Sequence, residues 1–269
     1  MAHSSSLTRW LVGKRQAFEV KINDFDWSNK WSTQMFDFQV QISVDGRTFT
    51  GRGTDQNEAL ALEKACAEAI ERGICGKLKI SSRGVAVHPE AKEAILNSRQ
   101  EALERAIFDW HLNSVIPFKL VEPTIWMKQL QALPIQRDHL GISFYESAAD
   151  FNQSVTICQL SEDGQNFLGL ALDSNSVRRL DKSMIEAVRN LFAYRESQKQ
   201  FVESVINDPD MWCADPKFIS KITPLLGTVS SSVDKSPKVK LATIVFEAKD
   251  LGPYSDAPLT AARTSVELL

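Results

Sequence analysis

Histidine is scarce and cysteine no more plentiful, with four of each in 269 residues. Cys66, Cys75, Cys158 and Cys213 form no CxxC pair, and His3, His88, His111 and His139 are equally scattered. A zinc framework is therefore excluded. Excess positive charge is also lacking. A formal net charge of -3 gives no general field for nucleic-acid phosphate or anionic lipid, although a local basic patch is compatible with it. No apolar run approaches membrane-spanning length, and residues 1–12 hold no continuous secretory core. The expected location is a reducing cytoplasm, with no membrane association. There is no nucleophile elbow, no Walker phosphate loop and no Cys/His dyad that spacing alone would connect.

What is present suffices for a folded core: 43% hydrophobic and 24% charged residues argue against disorder across the chain. From Phe36 to Val44 the residues alternate with period two, the pattern of a half-buried strand whose even-numbered members face a core and whose Asp37, Gln39, Gln41 and Ser43 face water. Asp45-Gly46 supplies a turn, and residues 47–53 return as the second strand of a hairpin. A helix follows, capped by Asp55 or Asn57, with Gly73 as its expected stop. Residues 78–87 then read as a strand and 91–112 as a helix. A third, weaker copy of the plan has strands at 154–160 and 167–172, a turn at Asp163-Gly164 and a helix over 182–200. The expected fold class is α+β, built from repeated β-hairpin-plus-helix units around a shared core. One domain over 1–269 is expected, with 121–151 an insertion carrying short helices and an edge strand. Residues 207–269 read as a C-terminal extension, with an exposed loop at 226–237, a strand at 240–247 and a tail.

The polar faces of the first two helices carry the chemistry. At roughly 100 degrees per residue, Glu68 and Glu71 lie about 60 degrees apart, opposite an apolar face of Leu62, Cys66, Ala69 and Ile70. Asn97, Glu101 and Glu104 repeat the arrangement on the second helix at separations of four and three. If these faces converge, they form an oxygen-rich cage suited to Mg²⁺. Glutamate is equally an ordinary exposed helix residue, and Lys64, Arg72, Arg99 and Arg105 could pair with these carboxylates weakly at a surface. Arg52, Arg72, Arg83 and Arg105 are candidates for phosphate contacts because a guanidinium offers donors in a fixed fork. His88 and His111 are candidates for acid/base work or, alternatively, polar boundary residues.

Gly51-Arg52-Gly53-Thr54, the run Ala65-Cys66-Ala67-Glu68-Ala69-Ile70-Glu71-Arg72, Arg83-Gly84-Val85-Ala86-Val87-His88 and the run from Asn97 to Arg105 together resemble the YcaO family of ATP-dependent peptide-backbone modifying proteins. In that family a glycine-containing strand leads into a helix bearing ExxER, and a second helix bears NxxxExxE. The resemblance implies that Glu68, Glu71, Asn97, Glu101 and Glu104 surround Mg²⁺ and the phosphates of ATP, with Arg105 among the nucleotide contacts. It also implies that a peptide or protein amide is activated through its oxygen, and that a partner protein can take part. Glu186 and Arg189 fall on the family's later active-side helix. The chain departs from the family at Lys64, near a position where Ser is common, at Arg83, where Asn is common, and in lacking a proline-rich carboxyl end.

Two other functions fit parts of the pattern. A noncatalytic peptide-binding or complex-forming protein would keep the fold without phosphate transfer. A double-stranded RNA-binding protein would share the hairpin and helix of residues 36–71, but the helix opens on Asp55, Asn57 and Glu58 instead of lysines, which argues against phosphate binding.

Overall fold

The computed structural model describes residues 6–26, 34–127, 140–147, 153–200, 216–227 and 237–268. Its helices are α1 (Ser6–Gly13), α2 (Arg15–Phe18), α3 (Glu58–Leu78), α4 (Ala91–Ser114), α5 (Pro123–Trp126), α6 (Ser176–Gln200) and α7 (Pro216–Ile222). Its strands are β1 (Lys21–Asp26), β2 (Phe36–Val44), β3 (Arg47–Asp55), β4 (Val85–His88), β5 (Lys119–Leu120), β6 (Leu140–Glu146), β7 (Val155–Glu162), β8 (Gln165–Leu172), β9 (Val239–Phe246) and β10 (Thr260–Leu268). The chain divides into two compact units, Met1–Leu103 with Lys240–Glu267 and, for most of the remainder, Glu104–Val239. The division falls within the continuous helix α4.

In the first unit, the alternation of residues 36–44 becomes β2, which pairs antiparallel with β1 on one side and β3 on the other. Asp45 and Gly46, at φ +52° and +72°, form the turn that twists in the sense of the flanking strands. Asn57 caps α3 by accepting from the Leu60 amide at 3.2 Å, and Asp55 in turn accepts from the Asn57 amide at 2.8 Å. Val40 and Ile42 of β2 are buried together with Ala61, Ala65, Ala69, Ile70 and Ile74 of α3 and Leu7 and Leu11 of α1.

The alanines of α3 and the glycines of β3 are one feature. A Cβ on Gly51 would lie 2.2 Å from both the Ala65 carbonyl oxygen and the Ala69 amide nitrogen, and one on Gly53 would lie 2.0 Å from the Ala61 carbonyl oxygen. Helix backbone rests directly on strand backbone. Gly51→Ala is therefore expected to lift the helix from the sheet at a cost of about 1–3 kcal/mol, read in denaturant unfolding. An unchanged midpoint would mean that the two backbones are not in this contact.

Three expectations are corrected here. Asp37 does not face water: it is 0% exposed. Its carboxylate receives Arg52 Nε at 3.0 and 3.1 Å, Arg52 Nη2 at 2.5 Å and the Thr54 hydroxyl at 2.8 Å. Gly73 does not end α3, which continues to Leu78 and is capped by Lys79 at φ +55°. Gly73 makes room instead, since a Cβ there would fall 2.0 Å from the Tyr254 hydroxyl oxygen. The strand expected over 78–87 is shortened to β4, because its beginning belongs to the helix and its cap.

β4 finds its partner at the far end of the sequence. It pairs antiparallel with β10, from Thr260↔His88 to Arg263↔Val85, in a sheet of order β4-β10-β9. The segment read as a tail is thus a central strand, tied to α4 by a 2.8 Å hydrogen bond between the Thr264 and Ser98 hydroxyls.

The second unit contains an antiparallel sheet of order β5-β6-β7-β8, with α6 packed against β8 and β7. Asp163 and Gly164, at φ +49° and +78°, repeat the earlier turn. Gly169 repeats the earlier close approach: its Cβ would lie 2.0 Å from the Ser183 carbonyl oxygen and 2.3 Å from the Ala187 amide nitrogen. Helix α6 begins at Ser176, ahead of the expected 182, because Asn175 Oδ1 accepts from the Arg178 amide at 3.1 Å while Asp173 Oδ1 holds the Asn175 amide at 2.9 Å. Within the segment read as an insertion, β6 lies between β5 and β7 and not at the sheet edge. Its residues 128–139 and 148–151, most of the loop expected at 226–237, and His3, His139 and Cys213 lie outside the described residues.

Candidate functional site

The approach permitted by Gly51 places Glu68 against β3. Its Oε2 accepts from the Arg52 backbone amide at 2.5 Å, and its Oε1 receives Arg72 Nη2 at 2.9 Å. Arg72 also donates from Nη1 to the Thr50 carbonyl at 2.6 Å. Glu68 and Arg72 therefore clamp the helix to the strand through charge-assisted hydrogen bonds. One turn along α3 is Glu71, half-buried, and Glu101 on α4 is half-buried as well. Both bear on Cys75: burial first, then the negative charges of Glu71 and Glu101, push its thiol up to about 12. Asn97, one turn before Glu101, is exposed.

The remaining residues of the set belong to the second unit. Glu104 accepts from the Leu172 amide at 2.9 Å and lies 3.8 Å from Arg105 Nε. On α6, Glu186 accepts from the Leu170 amide at 2.7 Å. Withdrawal from solvent raises both carboxyls above the usual range, Glu186 to about 7. Arg105 draws each downward, while the charge of Glu104 pushes Glu186 further up. Arg189 also draws Glu186 down.

Glu186 was legible as a member of the third helix but not in this role. The signal lies in spacing between elements: Arg52 follows Gly51 and is bonded sixteen residues later by Glu68, and Leu170 follows Gly169 and is bonded sixteen residues later by Glu186. A strand glycine, the next residue's amide and a helix glutamate recur as one device. Period-based reading of single helix faces does not reveal it.

The other candidates are placed as follows. Arg52 is held by Asp37, and Arg72 by Glu68. Arg83 is exposed beside Gly84. His88 Nδ1 accepts from the Glu90 amide at 3.0 Å. His111 is buried, with Nδ1 3.0 Å from the Ile116 carbonyl and its ring stacked on Phe118 at 4.1 Å, and burial holds its pKa below the ordinary value. These contacts give both histidines structural work.

Among the described residues, no three His, Cys, Asp or Glu side chains gather as a metal cluster. Magnesium does not require one, because it keeps several waters and takes one or two protein carboxylates together with substrate phosphates. Glu68 and Glu104 already accept backbone amides. Glu71 on α3 and Glu101 on α4, both half-buried, offer hard oxygen donors of the kind this cation takes.

No family model and no curated protein matches the sequence. Solved structures do match in fold. A heterocyclase in complex with substrate and cofactor superposes with a TM-score of 0.66 at 10% identity, over 99% of this chain and 52% of that one. YcaO from Methanopyrus kandleri bound with AMPPCP and Mg²⁺ gives 0.52 at 10% identity, over 71% and 67%. A chain of the E. coli microcin synthetase McbBCD complex gives 0.58 at 9% identity, over 93% and 87%. The fold is YcaO-like. This YcaO-like chain spans about half the length of the matched heterocyclase. The α+β class with repeated sheet-and-helix units, expected from the sequence, is the architecture of these neighbours.

Proposed function

We propose that this chain binds Mg²⁺ and ATP and activates an amide of a peptide or protein substrate. The observation that carries the reading is that ExxER falls on the long helix α3 and NxxxExxE on the long helix α4, with Glu71 and Glu101 half-buried there. The YcaO-like fold supports it, since one chain of that fold was solved with AMPPCP and Mg²⁺ and another in a synthetase complex with pro-MccB17. In this reading Glu71 and Glu101 hold the cation, and Asn97 adds a hard amide oxygen. Glu68 positions Arg72 and the β3 backbone, while Glu104 and Arg105 continue the polar face of α4. ATP supplies the phosphoryl group that turns an amide oxygen into a leaving group. The residues' own task is to fix the cation and the phosphates.

Glu71→Gln and Glu101→Gln keep the shape of each side chain and remove its charge. Each is expected to weaken Mg²⁺-dependent ATP binding at least about tenfold, measured by calorimetry, with the unfolding midpoint unchanged. Parental affinity in both folded variants would remove the assignment.

A second reading is a noncatalytic peptide-binding or complex-forming protein of the same fold. What favours it is that Glu68 and Glu104 are committed to backbone amides. ATP binding with no peptide-dependent ATP consumption would select it.

A further inference from the structure

A cavity of about 260 Å³ lies between the β2–β3 turn and the C-terminal end of α3, and nothing in the preceding reading uses it. Arg47 from the hairpin and Lys77 and Lys79 from the helix end line it, with Asp45 as the one acidic residue. None of the three cations makes an ion pair with a described residue. The basic residue of a last helical turn complements the helix dipole, which accounts for Lys77. Arg47 sits on a different element, and Lys79 lies past the last turn as the cap, so the dipole does not account for their convergence.

The space itself is made by glycine. Gly73 and Gly76 bring no side chain to the wall, and the Phe49 ring lies over Gly76, 2.6 Å from where a Cβ would be. Tyr254 also lines the cavity, and its buried hydroxyl has no hydrogen-bond acceptor among the described residues. Burial, and then the Asp45 charge, raise this phenol's pKa, so it stays protonated and able to donate. The cavity thus combines three exposed cations and one carboxylate beside Tyr254, whose hydroxyl is itself buried.

We infer that this cavity is a binding site for a phosphate-bearing small molecule. With Lys77 complemented by the helix dipole, Arg47 and Lys79 still outnumber Asp45, and the guanidinium fork of Arg47 matches the several oxygens of a phosphate. Arg47 supplies a fork of donors, and Lys77 and Lys79 supply mobile point charges. The volume is near the lower end of small-molecule sites, which suits a phosphate with a compact substituent. This site is separate in its residues from the proposed magnesium set.

The test is calorimetric titration of the whole chain with inorganic phosphate, in EDTA to silence magnesium-dependent binding. The parental protein, Glu71→Gln and the triple variant Arg47→Gln, Lys77→Gln, Lys79→Gln are compared, with acetate as the carboxylate arm. Phosphate is expected to bind the parent and Glu71→Gln alike, and the triple variant at least about tenfold more weakly. Added salt should weaken the parental binding. The three cations are exposed, so an unchanged unfolding midpoint is expected for the variant, and the comparison is made on folded protein. No phosphate binding by the parent at about 10 mM, or undiminished binding by the triple variant, overturns the site. Acetate binding as tightly as phosphate overturns the ligand class.

Discussion

Asp37→Ala is expected to lower the free energy of unfolding by about 2–4 kcal/mol, through the loss of buried charge-assisted hydrogen bonds. Arg52 is only 15% exposed, and its guanidinium makes three hydrogen bonds to the Asp37 carboxylate. Its Cζ lies 4.7 Å from the centre of the Phe25 ring on β1, so the cation is enclosed by an aromatic face as well as an acid. Removing Asp37 takes three hydrogen bonds from that guanidinium and the acceptor from the Thr54 hydroxyl. The charged pair need not itself be strongly stabilising, since an apolar pair of similar volume can be as stable. Asp37→Leu with Arg52→Met should therefore recover much of the loss. Urea unfolding of the single and double variants separates the cases. A single variant within about 1 kcal/mol of the parent would show that the cation finds other solvation.

The faults in the sequence reading share one cause: they depend on partners distant along the chain. The alternation of 36–44 was sufficient for β2, because period two is local, and Asp45-Gly46 was sufficient for the turn. The face occupied by Asp37 was not, because its burial depends on Arg52 arriving from the neighbouring strand. β4 could be recognised as a strand, but its partner β10 comes from the opposite end of the chain. Gly73 misled because a helix stop and a close approach call for the same residue, and only the presence of Tyr254 distinguishes them.

The candidate site shows the same boundary between local and distant information. Glu68, Glu71, Asn97, Glu101 and Glu104 were legible as helix faces. Which of them serve the fold was not, because the Arg52 and Leu172 amides that engage Glu68 and Glu104 lie on strands. The recurrence of Gly51 with Glu68 and Gly169 with Glu186 suggests why a glutamate is suited to both places: where helix and strand backbones touch, a long acceptor can reach over the glycine to the next strand amide. A carboxylate used in this way can still orient a neighbour, as Glu68 does Arg72. It has less freedom to ligate a cation.

Glu186→Gln should stabilise the protein at pH 8, on the order of 3 kcal/mol, with the gain vanishing below about pH 4.5. Withdrawal from solvent raises the folded-state pKa to about 7 from an ordinary 4.5. Between those values the native chain holds a proton that the unfolded chain has released, so stability falls as pH rises through the window. Above 7 the full cost of the buried charge is present; below 4.5 both states are protonated and there is none. The attractions of Arg105 and Arg189 are already contained in the net upward displacement, so removing the charge remains favourable despite them. Glutamine keeps an oxygen to accept from the Leu170 amide, preserving the link to β8. Unfolding of parent and variant from pH 4 to 8 gives the difference at each pH, which cancels the titration of groups common to both. A gain that grows from pH 4.5 to 7 and then levels off is the expected signature. A difference that is constant with pH, or a loss at pH 8, would mean that Glu186 is ionised in the native state at little cost and that the Glu104, Arg105 and Arg189 cluster accommodates its charge.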